Sequence, residues 1–164
     1  MRYLPEDSLR PYLVWAVYML LLFGWQYTIS TKITQKTMRS HLTAQNIVSI
    51  LYLTVRFVQD AFLYVNIPWM RFTGYIFIPL FGLYGAFYLG KADDYRISEK
   101  WYLLLIPACL LSVLALTNDL HHFFYYIMPE ESQPNLYFHP YIGTYIVYIW
   151  GLSIISYQVY VIYR

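Results

Sequence analysis

The stretch WYLLLIPACLLSVLALTNDLHHFFYYI, residues 101–127, begins as a long apolar run and ends in the most polar, hydrogen-bond-rich cluster of the chain. At a rise of about 1.5 Å per residue, a helix over residues 101–117 falls within the range of lengths that crosses the roughly 30 Å hydrocarbon core of a bilayer. The cluster that follows then marks where that helix leaves the membrane. Whether TNDLHHFFYYI is also a metal, catalytic or ligand-reading site is the question the rest of the chain has to answer.

Composition supports the membrane reading. Of 164 residues, only 11 are Lys or Arg and 9 are Asp or Glu, whereas 59% are hydrophobic. The 20 tyrosines and 5 tryptophans suit a chain that crosses two membrane–water boundaries, where amphipathic rings settle between hydrocarbon and headgroups. The single cysteine, Cys109, lies mid-run and reads as a small hydrophobe. The N-terminus carries Glu6 and Asp7 before its first apolar run and has no small-residue cleavage site after it, so that run reads as a retained helix, not a signal peptide.

Five segments have the length and character of spans: residues 12–29, 44–66, 69–90, 101–117 and 141–163. The expected fold is an all-α polytopic bundle forming one membrane-embedded domain over residues 1–164. Direction follows from the rule that Lys and Arg near span ends stay on the cytoplasmic side. With the N-terminus outside, Lys32, Lys36, Arg39, Lys91, Arg96, Lys100 and Arg164 fall inside, against Arg2, Arg10 and Arg71 outside. The expected topology is therefore N-outside and C-inside. Most connections are too short for a soluble domain, and only residues 118–140 have room for structure of their own.

That segment reads as a short extracellular helix lying on the membrane after the fourth span. Asn118 or Asp119 is placed to cap it, and Leu120, Phe123, Phe124 and Ile127 recur at i, i+3, i+4 and i+7 along one face. His121 and His122 then stack over Tyr125 and Tyr126 on the other face. Adjacent histidines on a helix diverge, so no metal site is expected. The imidazoles, facing the exterior, suit either a solvated helix end or a sensing role.

In the second span, Arg56 and Asp60 stand four residues apart on one face. A charge at mid-bilayer costs about 2.5 kcal/mol or more on insertion scales, so the two are expected to pair, either as a packing device or as part of a functional site. In the third span, Pro79 removes a backbone hydrogen bond, and Gly82 with Ala86 forms a small-residue face for a close neighbour. Tyr145 adds a polar point near the start of the fifth span.

Several classes lack their residues: HExxH, GxSxG, a Gly-rich phosphate loop and CxxC are all missing from the sequence, and no span has an interior lysine for a Schiff base. The five unlike spans carry none of the repeat symmetry common in transporters. No cofactor, nucleic-acid partner or catalytic residue is expected in this chain.

Three stretches carry a resemblance. IPLFGLYGAFYLGKADDYRI, then WYLLLIPACLLSVLALTNDLHHFFYYI, then YIGTYIVYIWGLSIISY together resemble the N-terminal seven-helix membrane region of bacterial sensor histidine kinases. The matching features are Pro79 in the third span, Thr117, Asn118, His121 and Phe124 closing the fourth, and Tyr141, Tyr145 and Trp150 in the fifth. The family has seven spans and a kinase core, whereas this chain has five spans and no phospho-accepting histidine box, so the expectation is a fragment whose output domain lies beyond Arg164. The resemblance implies the membrane input region of a two-component signal-transduction protein in a bacterial plasma membrane. It also implies a homodimer through the full-length protein and an unidentified small-molecule or lipid signal. The candidate signal-binding residues are Arg56, Asp60, Asn118, Asp119, His121, His122 and Tyr145. The competing expectation is a small multipass transporter or channel subunit.

Overall fold

The computed structural model describes residues 9–58, 68–128 and 137–164. It is a bundle of long helices with one small antiparallel ladder. The long elements are α1 (Leu9–Lys32), α2 (Lys36–Val58), α3 (Pro68–Phe87), α4 (Leu105–Leu116) and α6 (Ile142–Tyr163). A 3-10 helix, Glu99–Leu104, leads into α4, and a single helical turn, α5 (Asn118–His121), follows it. Strands β1 (Tyr125–Met128) and β2 (Tyr137–Pro140) pair antiparallel, with Tyr125 opposite Pro140 and Met128 opposite Tyr137.

Helix α3 is the centre. It packs on α2, α6 and α4, while α1 packs chiefly on α2. Phe72, Ile76, Leu80, Leu83 and Tyr84, spaced at helical intervals along α3, are fully buried. The helices facing them present small residues: Ala108, Ser112 and Ala115 on α4, and Gly143, Thr144, Val147 and Gly151 on α6. Small side chains let backbones approach, the packing mode that holds helices together in lipid, where hydrophobic exclusion between helices is weak. Gly85 serves the same end on α3, since a methyl group there would come within 2.7 Å of Leu42 Cδ2 on α2.

Large apolar side chains point the other way. Leu13, Leu20 and Phe23 of α1, Ile106, Leu110 and Val113 of α4, and Ile149, Leu152 and Tyr160 of α6 are all exposed. A helix that is apolar all round with its greasy side chains outward needs lipid, not water, around it. Among the described residues three helices, Tyr12–Lys32, Glu99–Leu116 and Ile142–Tyr163, are long and apolar enough to cross a membrane. The apolar part of α3, Phe72–Phe87, is shorter.

The expected membrane-surface helix after residue 118 does not form. Helix α5 stops after one turn because His122 adopts a left-handed backbone, φ 50°, and closes the turn by donating its N–H to the Asn118 carbonyl at 2.7 Å. Beyond it, aromatic and β-branched residues take the extended ladder they favour. His121 and His122 therefore do not stack over Tyr125 and Tyr126 on a helix face.

Candidate functional site

Two places in the bundle gather chemistry. The first is the junction where α4 ends. Asn118 is only 1% exposed, and its amide is committed to the backbone that follows. Its Oδ1 accepts from the N–H of Phe124 at 2.7 Å and of Tyr125 at 3.2 Å, while Nδ2 donates to the Tyr125 carbonyl at 2.8 Å. The start of α6 locks onto the same loop: the Tyr141 N–H and the Thr144 hydroxyl both donate to the Phe124 carbonyl, at 2.8 and 2.6 Å, and the Gly143 N–H donates to the Phe123 carbonyl at 3.1 Å. Only glycine fits at 143, because a methyl group there would lie 3.0 Å from the Phe123 carbonyl oxygen and 2.8 Å from its ring.

Asn118 is thus a bracket between two helix ends, and neither it nor Asp119 makes a side-chain cap on α5. His121 is also used locally. Its Nδ1 accepts from the Phe123 N–H at 3.1 Å, and its Nε2 lies 3.3 Å from the Thr117 hydroxyl, which itself donates to the Val113 carbonyl at 2.9 Å. Asp119 and the side chains of His121 and His122 are exposed. Burial, with the Asp119 carboxylate adding to it, pushes the Tyr125 hydroxyl up to about 12.

The second place is a cleft of about 650 Å³ between α2, α3 and α6. That volume lies in the range of small-molecule sites. Gln45 and Tyr52 contribute from α2, and Gly74, Tyr75, Ile78 and Pro79 from α3. From α6 come Val147, Tyr148, Gly151, Leu152, Ile155 and Gln158. Among the described residues no charged side chain lines it. At one end three tyrosine rings meet, Tyr52 with Tyr75 at 6.0 Å between centroids and Tyr75 edge-on to Tyr148 at 5.8 Å. At the other end the carboxamides of Gln45 and Gln158 converge on Gly82: a methyl group there would come within 2.9 Å of Gln45 Nε2 and 3.1 Å of Gln158 Oε1. The two ends are about 10 Å apart along α3.

Pro79 sits between them, inside an otherwise unbroken α3. Proline has no N–H, so the Tyr75 carbonyl one turn earlier receives none from that position. Gly151 approaches this carbonyl, with a methyl group there reaching 3.5 Å from it, and the Trp150 indole donates to the adjacent Ile76 carbonyl at 3.3 Å. The middle of α3 is thereby held by α6 instead of by its own ladder alone.

No family model matches the chain, and no curated protein or solved structure matches it. The site therefore rests on its own geometry. Arg56 stands one turn beyond Tyr52 on α2, half-buried and engaged by its neighbours, within electrostatic reach of the Tyr52 hydroxyl. Asp60, its expected partner, lies outside the described residues. Tyr145 is exposed on the first turns of α6 and does not line the cleft. Of the residues singled out from sequence, the structure brings Asn118, Asp119 and His121 to the α4 junction and places Arg56 one turn from Tyr52 of the cleft. It does not join the two sets.

Sequence reasoning missed Gln45, Gln158, Tyr52, Tyr75 and Tyr148. The signal was present in Gln158, a lone carboxamide within the apolar run of residues 141–163. A third cluster, at the opposite end of the bundle from Asn118, was also unforeseen. His41 Nε2 lies 3.2 Å from the Tyr102 hydroxyl, its ring packs on Tyr84 and Tyr88, and burial holds its imidazole below the usual histidine range.

Proposed function

We propose that this chain is the membrane input region of a signal-transduction protein, five-spanning with its N-terminus outside, whose output is a cytoplasmic histidine kinase. The observation that carries the reading is the cleft at Pro79: a ligand-sized space on the one helix that packs against α2, α4 and α6. An occupant there touches α2, α3 and α6 together, so it favours whichever packing of these helices fits it better. A ligand shifts such an equilibrium only by its difference in affinity for the two packings.

Five crossings are supported by the way the helices run. Helix α2, at 23 residues about 35 Å long, lies between α1 and α3, and α3 lies between α2, α4 and α6. If α1, α4 and α6 cross a bilayer, the helices packed between them cross with it. The lower hydropathy of α2 is accounted for by its inward polar contacts: buried Asn46 donates to Gln26 Oε1 at 2.9 Å and to the Leu22 carbonyl at 3.1 Å, both on α1. The excess of Lys and Arg at the inner ends supports the direction, and the residues of the TNDLHHF motif support the kinase output by resemblance.

The test is to read the gene beyond the Arg164 codon. Two more apolar spans, then a dimerisation helix with a phospho-accepting histidine and an ATP-binding domain, are expected. A stop codon there, with solute flux through liposomes holding the purified chain, would replace this reading with a small transporter or channel subunit.

A further inference from the structure

Two half-buried carboxamides that face an apolar cleft are best satisfied by a hydrogen-bonding partner there. Each offers two donors and an acceptor, and in hydrocarbon an unmet amide is unfavourable. Of the polar side chains nearby, Ser49 bonds to the Gln45 carbonyl and Trp150 to the Ile76 carbonyl, while Asn46 Nδ2 donates to Gln26 and the Leu22 carbonyl on α1 and its Oδ1 is buried without a partner among the described residues. The side chains of Gln45 and Gln158 bond to nothing among the described residues, yet both reach the same point over Gly82. They form one polar end of the cleft, with the hydroxyl-bearing rings of Tyr52, Tyr75 and Tyr148 at the other and apolar walls between.

The side of the cleft away from the bundle is open. Tyr75, Tyr148, Leu152 and Ile155 on its margin are exposed, on the flank where α6 turns its large apolar side chains outward. On that flank the described residues leave the cleft open toward the surrounding hydrocarbon. Its occupant must be soluble in hydrocarbon, must fit about 650 Å³, and must carry one polar group that both gives and takes a hydrogen bond. With no Lys, Arg, Asp or Glu among the described lining residues, an uncharged group is the one this lining suits.

We propose that this cleft binds a single-chain amphiphile taken from the bilayer, its hydroxyl or protonated carboxyl held between Gln45 and Gln158 and its hydrocarbon chain laid past Pro79 toward the tyrosines. The inference rests on the sensory reading above and names the class of its signal. The glutamines supply specificity because an alkane of the same length leaves both amides unmet. Gly82 is the positioning residue: it keeps the space over α3 empty so that both amides reach the bound group.

The test uses the whole chain in lipid nanodiscs and a dodecanol bearing a photoreactive diazirine in its chain. Labelling is expected on the α3 and α6 peptides around Pro79 and Gly151, and plain 1-dodecanol should compete at least about tenfold better than dodecane, the worth of one or two hydrogen bonds. Gly82→Ala should lower labelling by a similar factor. The atoms its methyl group meets are the ends of two flexible side chains, so the bundle is expected to stay folded. Gln158→Leu gives the same readout without touching α3. Laurate in place of dodecanol should compete at a pH where its carboxyl is protonated and lose that ability when it ionises; equal competition by both forms would overturn the uncharged head.

Labelling spread evenly over the exposed faces of α1, α4 and α6, or equal competition by dodecane, would overturn the proposal. So would efficient crosslinking between copies through a cysteine at Leu152, which would mean that a second chain fills the cleft. Failure of labelling would leave the sensory reading resting on gene context and topology. A stop codon after Arg164 would remove that reading and leave the binding result unchanged.

Discussion

Asn118 grips Tyr125 from both sides of one residue, Nδ2 donating to its carbonyl at 2.8 Å and Oδ1 accepting from its N–H at 3.2 Å. Oδ1 also takes the Phe124 N–H, so one amide satisfies three buried backbone groups where the chain leaves α4. Asn118→Ala leaves all three without their partner in a dry site. The expected loss is about 3 kcal/mol or more, at one to a few kcal/mol per stranded group. Thermal unfolding in detergent, followed by circular dichroism, measures it. A change within about 0.5 kcal/mol would mean that the bracket is dispensable.

Gly143 is predicted to be as sensitive, for a steric reason. A methyl group there meets the Phe123 carbonyl oxygen at 3.0 Å, and backbone cannot step aside as a side-chain tip can. Gly143→Ala should cost about 1–3 kcal/mol, whereas Gly24→Ala, with nothing near it, should be neutral or mildly stabilising because alanine favours helix. The comparison of the two melting temperatures checks it.

These residues also mark where the sequence was legible and where it was not. The apolar runs could be read directly, because burial depends on residue type at helical spacing, whereas the small-residue face read at Gly82 and Ala86 is met at Gly82 by the side chains of Gln45 and Gln158, and Leu42 of α2 packs on Gly85 instead. The helix past His121 could not: Leu120, Phe123, Phe124 and Ile127 fit a helical face, but one left-handed residue at His122 breaks that period. Asn118 was read as a cap or a ligand contact because its true partners lie six and seven residues on, after a turn that no local pattern encodes. The cleft was invisible for a different reason. Its polar end joins Gln45 and Gln158, more than a hundred residues apart, across a glycine between them in sequence.

His122 offers a separate check of that turn. A β-branched residue tolerates a left-handed backbone poorly, by about 1–2 kcal/mol, and glycine adopts it freely. His122→Val should therefore lower the melting temperature more than His122→Gly. Equal effects would show that the left-handed turn is not what fixes α5.

His41 predicts how stability changes with pH. Its pKa in the folded chain is lowered by burial among Tyr84, Tyr88 and Tyr102, none of which carries charge near neutral pH. Below about pH 6.5 the unfolded chain takes up a proton that the folded chain resists. The stability present above that pH is lost as pH falls toward the lower folded value. Melting temperatures measured from about pH 7 to pH 5 should fall more steeply for the parent chain than for His41→Gln. Parallel curves would exclude His41 as the group responsible.

The central claim is that an occupant of the cleft changes how α3 and α6 pack. It is tested most directly by spin labels at Leu89, just beyond the C-terminal end of α3, and Tyr163, at the end of α6, in proteoliposomes of the chain with Cys109 replaced by serine. Pulsed electron–electron distance measurements with and without 1-dodecanol should give two distances whose populations shift on addition, and Gly82→Ala should suppress the shift. A single distance distribution, unchanged by dodecanol while photolabelling shows the cleft occupied, would contradict the account.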